Sequence, residues 1–170
     1  MDKGEDLTGV KRSLFFWAVK LAERFEYYDL NGPIYGLKLA IARKLIFSKW
    51  KEALGGEVLF VASGSAALSP RLSRIFNAAG VPIMEGYGLT ETSPVVSVNM
   101  VEGKGFKFGT TGRVLDDVTV KIAEDGEILV KGPNLMMGYY KRPDATAQVI
   151  DADGYFHTGD IGELEDGEFV

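Results

Sequence analysis

The run Gly86-Tyr87-Gly88-Leu89-Thr90-Glu91-Thr92-Ser93-Pro94 gathers an aromatic face, two bare backbone positions, a hydroxyl and a carboxylate into one short turn. That inventory suits a purine nucleotide with a metal-bound phosphate. Gly86 and Gly88 let a ligand approach the backbone, and Tyr87 can stack on a planar base. Thr90 offers a hydroxyl to a phosphate oxygen, and Glu91 offers hard oxygen ligands of the kind Mg2+ takes. A Gly-rich strand-to-helix turn around a packed tyrosine accounts for the same residues.

A second cluster, Tyr155-Phe156-His157-Thr158-Gly159-Asp160, ends in a carboxylate that can accept hydrogen bonds from both hydroxyls of a ribose. An aspartate capping a turn fits equally. His157 is the only histidine, and beside aromatic residues in a strand it reads as structural. Gly109-Thr110-Thr111-Gly112 has the look of a phosphate-cradling loop. No lysine follows it, and Arg113-Val114-Leu115 leads into a strand, so it reads as a structural turn.

The elements that must carry these residues are legible from periodicity. Ser13 to Asp29 predicts a helix with Leu14, Phe15, Trp17, Ala18, Leu21, Ala22 and Phe25 on one face. The aromatic weight of this helix would suit a lipid surface, but its charges leave a stripe of ordinary width and favour core packing. Asn31-Gly32-Pro33 breaks it, and a second helix fits Leu37 to Leu54, with Leu37, Ala40, Ile41, Lys44, Leu45 and Ser48 along one side and a stop at Gly55-Gly56. Glu57 to Ala62 is an apolar run expected to be a buried parallel strand. The small-residue loop Ser63-Gly64-Ser65-Ala66-Ala67 follows. Ser69 as N-cap and Pro70 at the first position then open a helix ending at Gly80. Val81 to Glu85 is a second short strand. Residues 57 to 86 thus form a β-loop-α-β unit that delivers both nucleotide-contact candidates to the C-terminal ends of strands, where open α/β sheets bind ligands.

Beyond Ser97 the texture changes to short strands and acidic turns. Val118 to Ile122 and Glu127 to Lys131 pair across Glu124-Asp125-Gly126, and Pro143 begins a short helix. The expected class is α/β: a helical and α/β part over 1–103, then a small β-rich, barrel-like lobe over 104–170.

Composition bounds the function. With 46% apolar and 25% charged residues the 170-residue chain has the make-up of a soluble globular protein. A net charge of -5 argues against a nucleic-acid partner. The absence of cysteine excludes disulfides, thiolate metal sites and cysteine nucleophiles, and one histidine excludes a His-based metal cluster. The polar start Met1-Asp2-Lys3-Gly4-Glu5-Asp6 does not read as a signal peptide, and no apolar run is long enough to span a bilayer. An intracellular, cytoplasmic setting is the simplest expectation.

Four motifs occur in a telling order: Ser63-Gly64-Ser65-Ala66-Ala67-Leu68; Gly86 to Thr92; Gly126-Glu127-Ile128-Leu129-Val130-Lys131-Gly132-Pro133 with Gly138-Tyr139-Tyr140; and His157-Thr158-Gly159-Asp160. The series resembles the adenylate-forming, AMP-binding superfamily of acyl-CoA synthetases, luciferases and peptide-synthetase adenylation domains, over nearly the whole chain. The first two helices look like those of the long-chain fatty-acid–CoA ligase branch. The resemblance implies that Ser63, Gly64, Ser65 and Ala66 line one face of an adenine and Tyr87 the other, between Gly86 and Gly88. It implies that Thr90 contacts the α-phosphate, Glu91 holds Mg2+, and Asp160 binds the ribose hydroxyls, with Thr90 and Glu91 the catalytic pair. Ser65 stands where many members have glycine. ATP, Mg2+ and CoA are the implied cofactors and co-substrate, and a fatty acid the implied substrate, with peripheral membrane contact a further expectation for the parent enzyme. An aryl or short-chain acyl-CoA ligase, a carrier-loading adenylation domain and a non-catalytic nucleotide-binding module are the alternatives. The Glu127 segment looks structural. The family's upstream phosphate loop and C-terminal catalytic lysine have no counterpart here, so the chain reads as an internal piece of a larger enzyme, inactive alone.

Overall fold

The computed structural model describes residues 7–170, so the acidic start from Met1 to Asp6 lies outside it. The chain forms two compact units, Met1–Met84 and Glu85–Val170.

In the first unit, helix α1 (Gly9–Ala22) buries Ala18, Val19 and Ala22. It stops well short of Asp29 because a side chain takes over the backbone partners that further turns would need. The Asn31 Oδ1 accepts the Glu26 N–H at 2.7 Å, and Asn31 Nδ2 donates to the Arg24 carbonyl at 2.8 Å. The second expected helix begins early, at Pro33, and is three segments in one: α2 (Pro33–Ala42), a π-helical turn (Arg43–Phe47) and α3 (Ser48–Ala53). Its expected stripe faces outward, with Leu37, Ile41 and Leu45 67%, 46% and 48% exposed, while Leu39, Ala42 and Phe47 are buried. The segment Pro-Ile-Tyr-Gly-Leu-Lys-Leu-Ala-Ile-Ala is apolar almost all round, so spacing alone cannot choose a face. Trp50 ties the unit together, its ring centroid 5.1 Å from that of Phe47, 6.0 Å from Phe76 and 6.2 Å from Phe15.

The expected buried strand over 57–62 is a second correction. Strand β1 is only Val61–Ser63, and Leu59, Phe60 and Val61 are 82%, 54% and 40% exposed. An apolar run records what a segment can bury, not what covers it. Helix α4 (Pro70–Ala78) follows as expected, with Ser69 at the cap position but without a side-chain cap bond. The Asn77 side chain, buried on α4, donates to the Ser73 carbonyl at 2.8 Å and accepts the Tyr27 hydroxyl at 2.6 Å.

Strand β2 (Ile83–Tyr87) carries the chain into the second unit. There its end pairs antiparallel with β3 (Ser97–Val98), and β3 with β4 (Arg113–Val114). A separate sheet runs in the order β5 (Thr119–Ile122), β6 (Glu127–Lys131), β7 (Phe156–Ile161), all antiparallel. Mixed α/β structure holds, but the β-rich part is open sheet and not a barrel: among the described residues β5 and β7 are the two outer strands of this sheet, β7 gains beyond β6 only an isolated bridge from Phe156 to Ile150, and closure would need the outer strands paired with each other. Helix α5 (Pro143–Val149) lies between β6 and β7 in sequence. Beneath these strands Val96, Ile128 and Val130 form a buried cluster, against which Tyr87, Val120 and Leu135 pack.

Val130 is fully buried in that cluster. In the full-length protein, Val130→Ala is expected to cost about 2 kcal/mol, from lost transfer energy plus a residual cavity. A chemical-denaturation midpoint indistinguishable from wild type would show that the cluster does not carry this unit.

Candidate functional site

Tyr87 is the last residue of β2, and its partly buried ring rests on the Val96–Ile128–Val130 cluster. The following turn depends on Gly88: a Cβ there would stand 1.7 Å from the Pro94 carbonyl oxygen, so no side chain fits. Thr92, fully buried, ties the turn from within. Its hydroxyl accepts the Leu89 N–H at 2.9 Å and reaches the Pro94 carbonyl at 2.8 Å. Thr90 and Glu91 are thereby lifted on a single 3-10 turn, Thr90–Thr92, with Thr90 exposed.

Asp160 reaches the same place by a different device. Across β6 and β7, Leu129 pairs with His157 but Glu127 pairs with Ile161, so two steps on one strand (129 − 127) face four on the other (161 − 157). The surplus bulges out as Thr158-Gly159-Asp160. Bulges of this kind re-aim side chains at sheet edges. Gly159 sits at φ +75°, which a side chain would resist. Three polar contacts hold the bulge: Glu127 Oε1 accepts the Gly159 N–H at 2.8 Å, Glu127 Oε2 pairs with His157 Nδ1 at 2.8 Å, and Thr158 Oγ1 donates to the Ile128 carbonyl at 2.7 Å.

The two devices meet. The Tyr87 hydroxyl donates to Asp160 Oδ2 at 2.7 Å. Burial pushes the Tyr87 pKa up, and the Asp160 hydrogen bond and the charges of Asp160 and Glu127 raise it further, against the opposing Thr158 hydrogen bond. Tyr87 is therefore a donor throughout the physiological range. Glu91, the other carboxylate, accepts the Tyr139 hydroxyl on Oε1 at 2.9 Å, and that bond is the main cause of a raised Tyr139 pKa.

Among the described residues no cluster of three or more His, Asp and Glu side chains is arranged to hold a metal. Among the described residues Glu91 Oε2 has no hydrogen-bond partner, and this suits Mg2+, which binds through one or two carboxylates together with substrate phosphates. Of the residues singled out from sequence, the structure brings Gly86, Tyr87, Gly88, Thr90, Glu91 and Asp160 into the second unit. Ser63, Gly64, Ser65 and Ala66 lie in the first, where Ser63 ends β1 and Ser65, exposed, adopts φ +64°. Gly109 to Gly112 is a turn held internally, Thr110 Oγ1 accepting the Gly112 N–H at 3.1 Å and Asn99 donating to the Thr110 carbonyl at 2.7 Å. His157 is half of the pair that holds the bulge. Sequence reasoning read the Glu127 segment as structural without naming what it holds, and gave Thr158 and Tyr139 no role of their own. The first two acquire their roles only from the strand register, which no spacing rule supplies.

Comparison with known proteins gives a consistent result. Residues 16–140 match the AMP-binding enzyme family. The long-chain-fatty-acid–CoA ligase FadD15 of Mycobacterium bovis is 37% identical over 147 residues, covering 85% of this chain and 24% of the relative. Fatty acyl-CoA synthetase A of Dictyostelium discoideum is 36% identical over 166 residues, covering 90% and 24%. Among solved structures, a Mycobacterium tuberculosis fatty acyl CoA synthetase superposes with a TM-score of 0.59 at 28% identity, over 77% of this chain and 28% of that one. The Bacillus subtilis o-succinylbenzoate CoA synthetase gives 0.57 at 30% identity, over 65% and 25%. The chain thus spans about a quarter of the length of these relatives.

If Glu127 sets the bulge, Glu127→Ala in the full-length protein should lower stability by about 2 kcal/mol, as expected for losing hydrogen bonds to a charged acceptor. It should also speed amide exchange at Gly159 and Asp160 selectively. Unchanged exchange at those two amides would assign the bulge to some other cause.

Proposed function

The chain belongs to the AMP-binding enzyme family, and from that premise we propose that the full-length protein activates a fatty acid through an acyl-adenylate and transfers it to CoA. The observation that carries this reading is the Tyr87–Asp160 contact at 2.7 Å, which joins a base-stacking candidate to a ribose-binding candidate at one edge.

In the proposed reaction the fatty acid carboxylate attacks the α-phosphorus of ATP, forming an acyl–phosphate bond and releasing pyrophosphate. The CoA thiol then attacks the acyl carbon, its proton leaves, and AMP departs. Tyr87 would stack on the adenine and Asp160 would accept hydrogen bonds from the ribose hydroxyls. Thr90 would donate to an α-phosphate oxygen, stabilising charge as the pentavalent phosphorus forms. Glu91 would present Oε2 to Mg2+, which when bound neutralises phosphate charge. A contact of Ser63, Gly64, Ser65 and Ala66 with the base, beside Gly86 and Gly88, rests on the family resemblance. On the same ground we take 1–103 and 104–170 as pieces of one larger AMP-binding domain.

The named fatty-acid–CoA ligases among the relatives support an aliphatic substrate. A second reading, an aromatic acid, is supported by the likeness to the o-succinylbenzoate enzyme, and acyl chain-length profiling separates the two. No helix among the described residues is long and apolar enough to cross a membrane.

Asp160→Ala in the full-length protein should raise the ATP KM by about tenfold or more, as expected when a charge-assisted contact is lost, with the fatty acid KM little changed. Fatty-acid-dependent pyrophosphate release is the readout. Should the ATP KM stay at the wild-type value, the ribose assignment fails.

A further inference from the structure

Glu91 is held more firmly than a lone carboxylate on an exposed turn would be. Its carbonyl accepts the Met136 N–H at 2.8 Å, and its Oε1 accepts the Tyr139 hydroxyl at 2.9 Å. Tyr139 is itself fixed, its N–H donating to Thr146 Oγ1 at 2.9 Å, while Thr146 donates to the Arg142 carbonyl at 3.0 Å at the start of α5. The approach of Tyr139 to α5 requires Gly138, at φ +141°, since a Cβ there would lie 2.8 Å from the Thr146 side chain. One segment, 136–139, therefore grips Glu91 at both its backbone and its side chain, and is anchored in turn to a helix.

We propose that Tyr139 is a positioning residue for Glu91: its hydroxyl occupies Oε1 and leaves Oε2 as a single, pre-aimed oxygen for the metal that accompanies the nucleotide. The inference rests on the reading of Glu91 as that ligand. A tyrosine kept only for packing would be buried, yet Tyr139 is 37% exposed and its hydroxyl bond goes to Glu91. A carboxylate with both oxygens free can swing or bind in two modes. With one oxygen committed to a neutral donor it keeps its charge and loses that freedom. Partners that orient a ligand in this way typically govern metal affinity by about 10–100-fold.

The test uses the full-length protein and two variants. Mn2+ binding to the protein–ATP complex is measured by electron paramagnetic resonance of the free ion, beside the Mg2+ dependence of pyrophosphate release. Tyr139→Phe, which keeps the ring and removes the hydroxyl, should weaken Mn2+ binding about tenfold and raise the Mg2+ requirement by a similar factor. At saturating metal its ATP KM should return close to wild type. Glu91→Gln should weaken Mn2+ binding at least as much. If Glu91→Gln weakens the metal and Tyr139→Phe does not, the positioning role is wrong while the ligand reading stands. If Glu91→Gln itself leaves Mn2+ binding intact, the ligand reading fails and takes this inference with it.

Discussion

One carboxylate, that of Glu127, shapes the edge that carries Asp160. Both of its oxygens are engaged, one by the Gly159 N–H and one by His157, and its side chain is only 18% exposed. A charged acceptor in that position makes the bulge the satisfied arrangement: a regular ladder would align Glu127 differently and leave the Gly159 N–H to find another partner. Hydrogen bonds to ionised groups are the stronger ones. The lone histidine is then explained by geometry without being a catalyst, since its Nδ1 completes the set of contacts around Glu127.

Beneath the polar edge lies a rigid base. Val96, Ile128 and Val130 come from the loop before β3 and from β6, so one buried cluster supports the ring of Tyr87 and backs the strand that carries Glu127. The turn after Tyr87 is set independently, by the close passage of Gly88 under Pro94 and by the buried Thr92 hydroxyl. Each device is local, and the packed cluster between them fixes their separation. Polar tips on a close-packed base are what precise ligand placement requires.

This division explains what could be read from sequence. Glu127–Lys131 coincides with its expected strand, and α4 and α5 begin at Pro70 and Pro143 as expected, because strand alternation, turn glycines and helix-opening prolines are local signals. The outward stripe of Leu37, Ile41 and Leu45 and the exposed Phe60 were misjudged because both depend on what lies against them, which composition does not encode. Within the candidate site, Tyr87, Thr90, Glu91 and Asp160 were singled out by type and order, and their roles are those of the proposed function. Glu127, Thr158 and Tyr139 were not, since their importance comes from partners 32, 30 and 48 positions away in the chain.

Two readings of Tyr87, a packed tyrosine and a stacking platform, stood as alternatives from sequence. The geometry makes them compatible. Packing fixes the ring, and the hydroxyl bond to Asp160 fixes the carboxylate without exhausting it. An ionised carboxylate offers about four acceptor sites, of which Tyr87 takes one. A ribose diol brings two donors, so Asp160 can serve both without releasing Tyr87. Under the proposed function the two ends differ in what accompanies their carboxylates: Asp160 would face the neutral sugar, whose hydroxyls donate to it. The phosphate end would lie beside Thr90 and Glu91, where a hydroxyl donor and a bound metal would offset the charge.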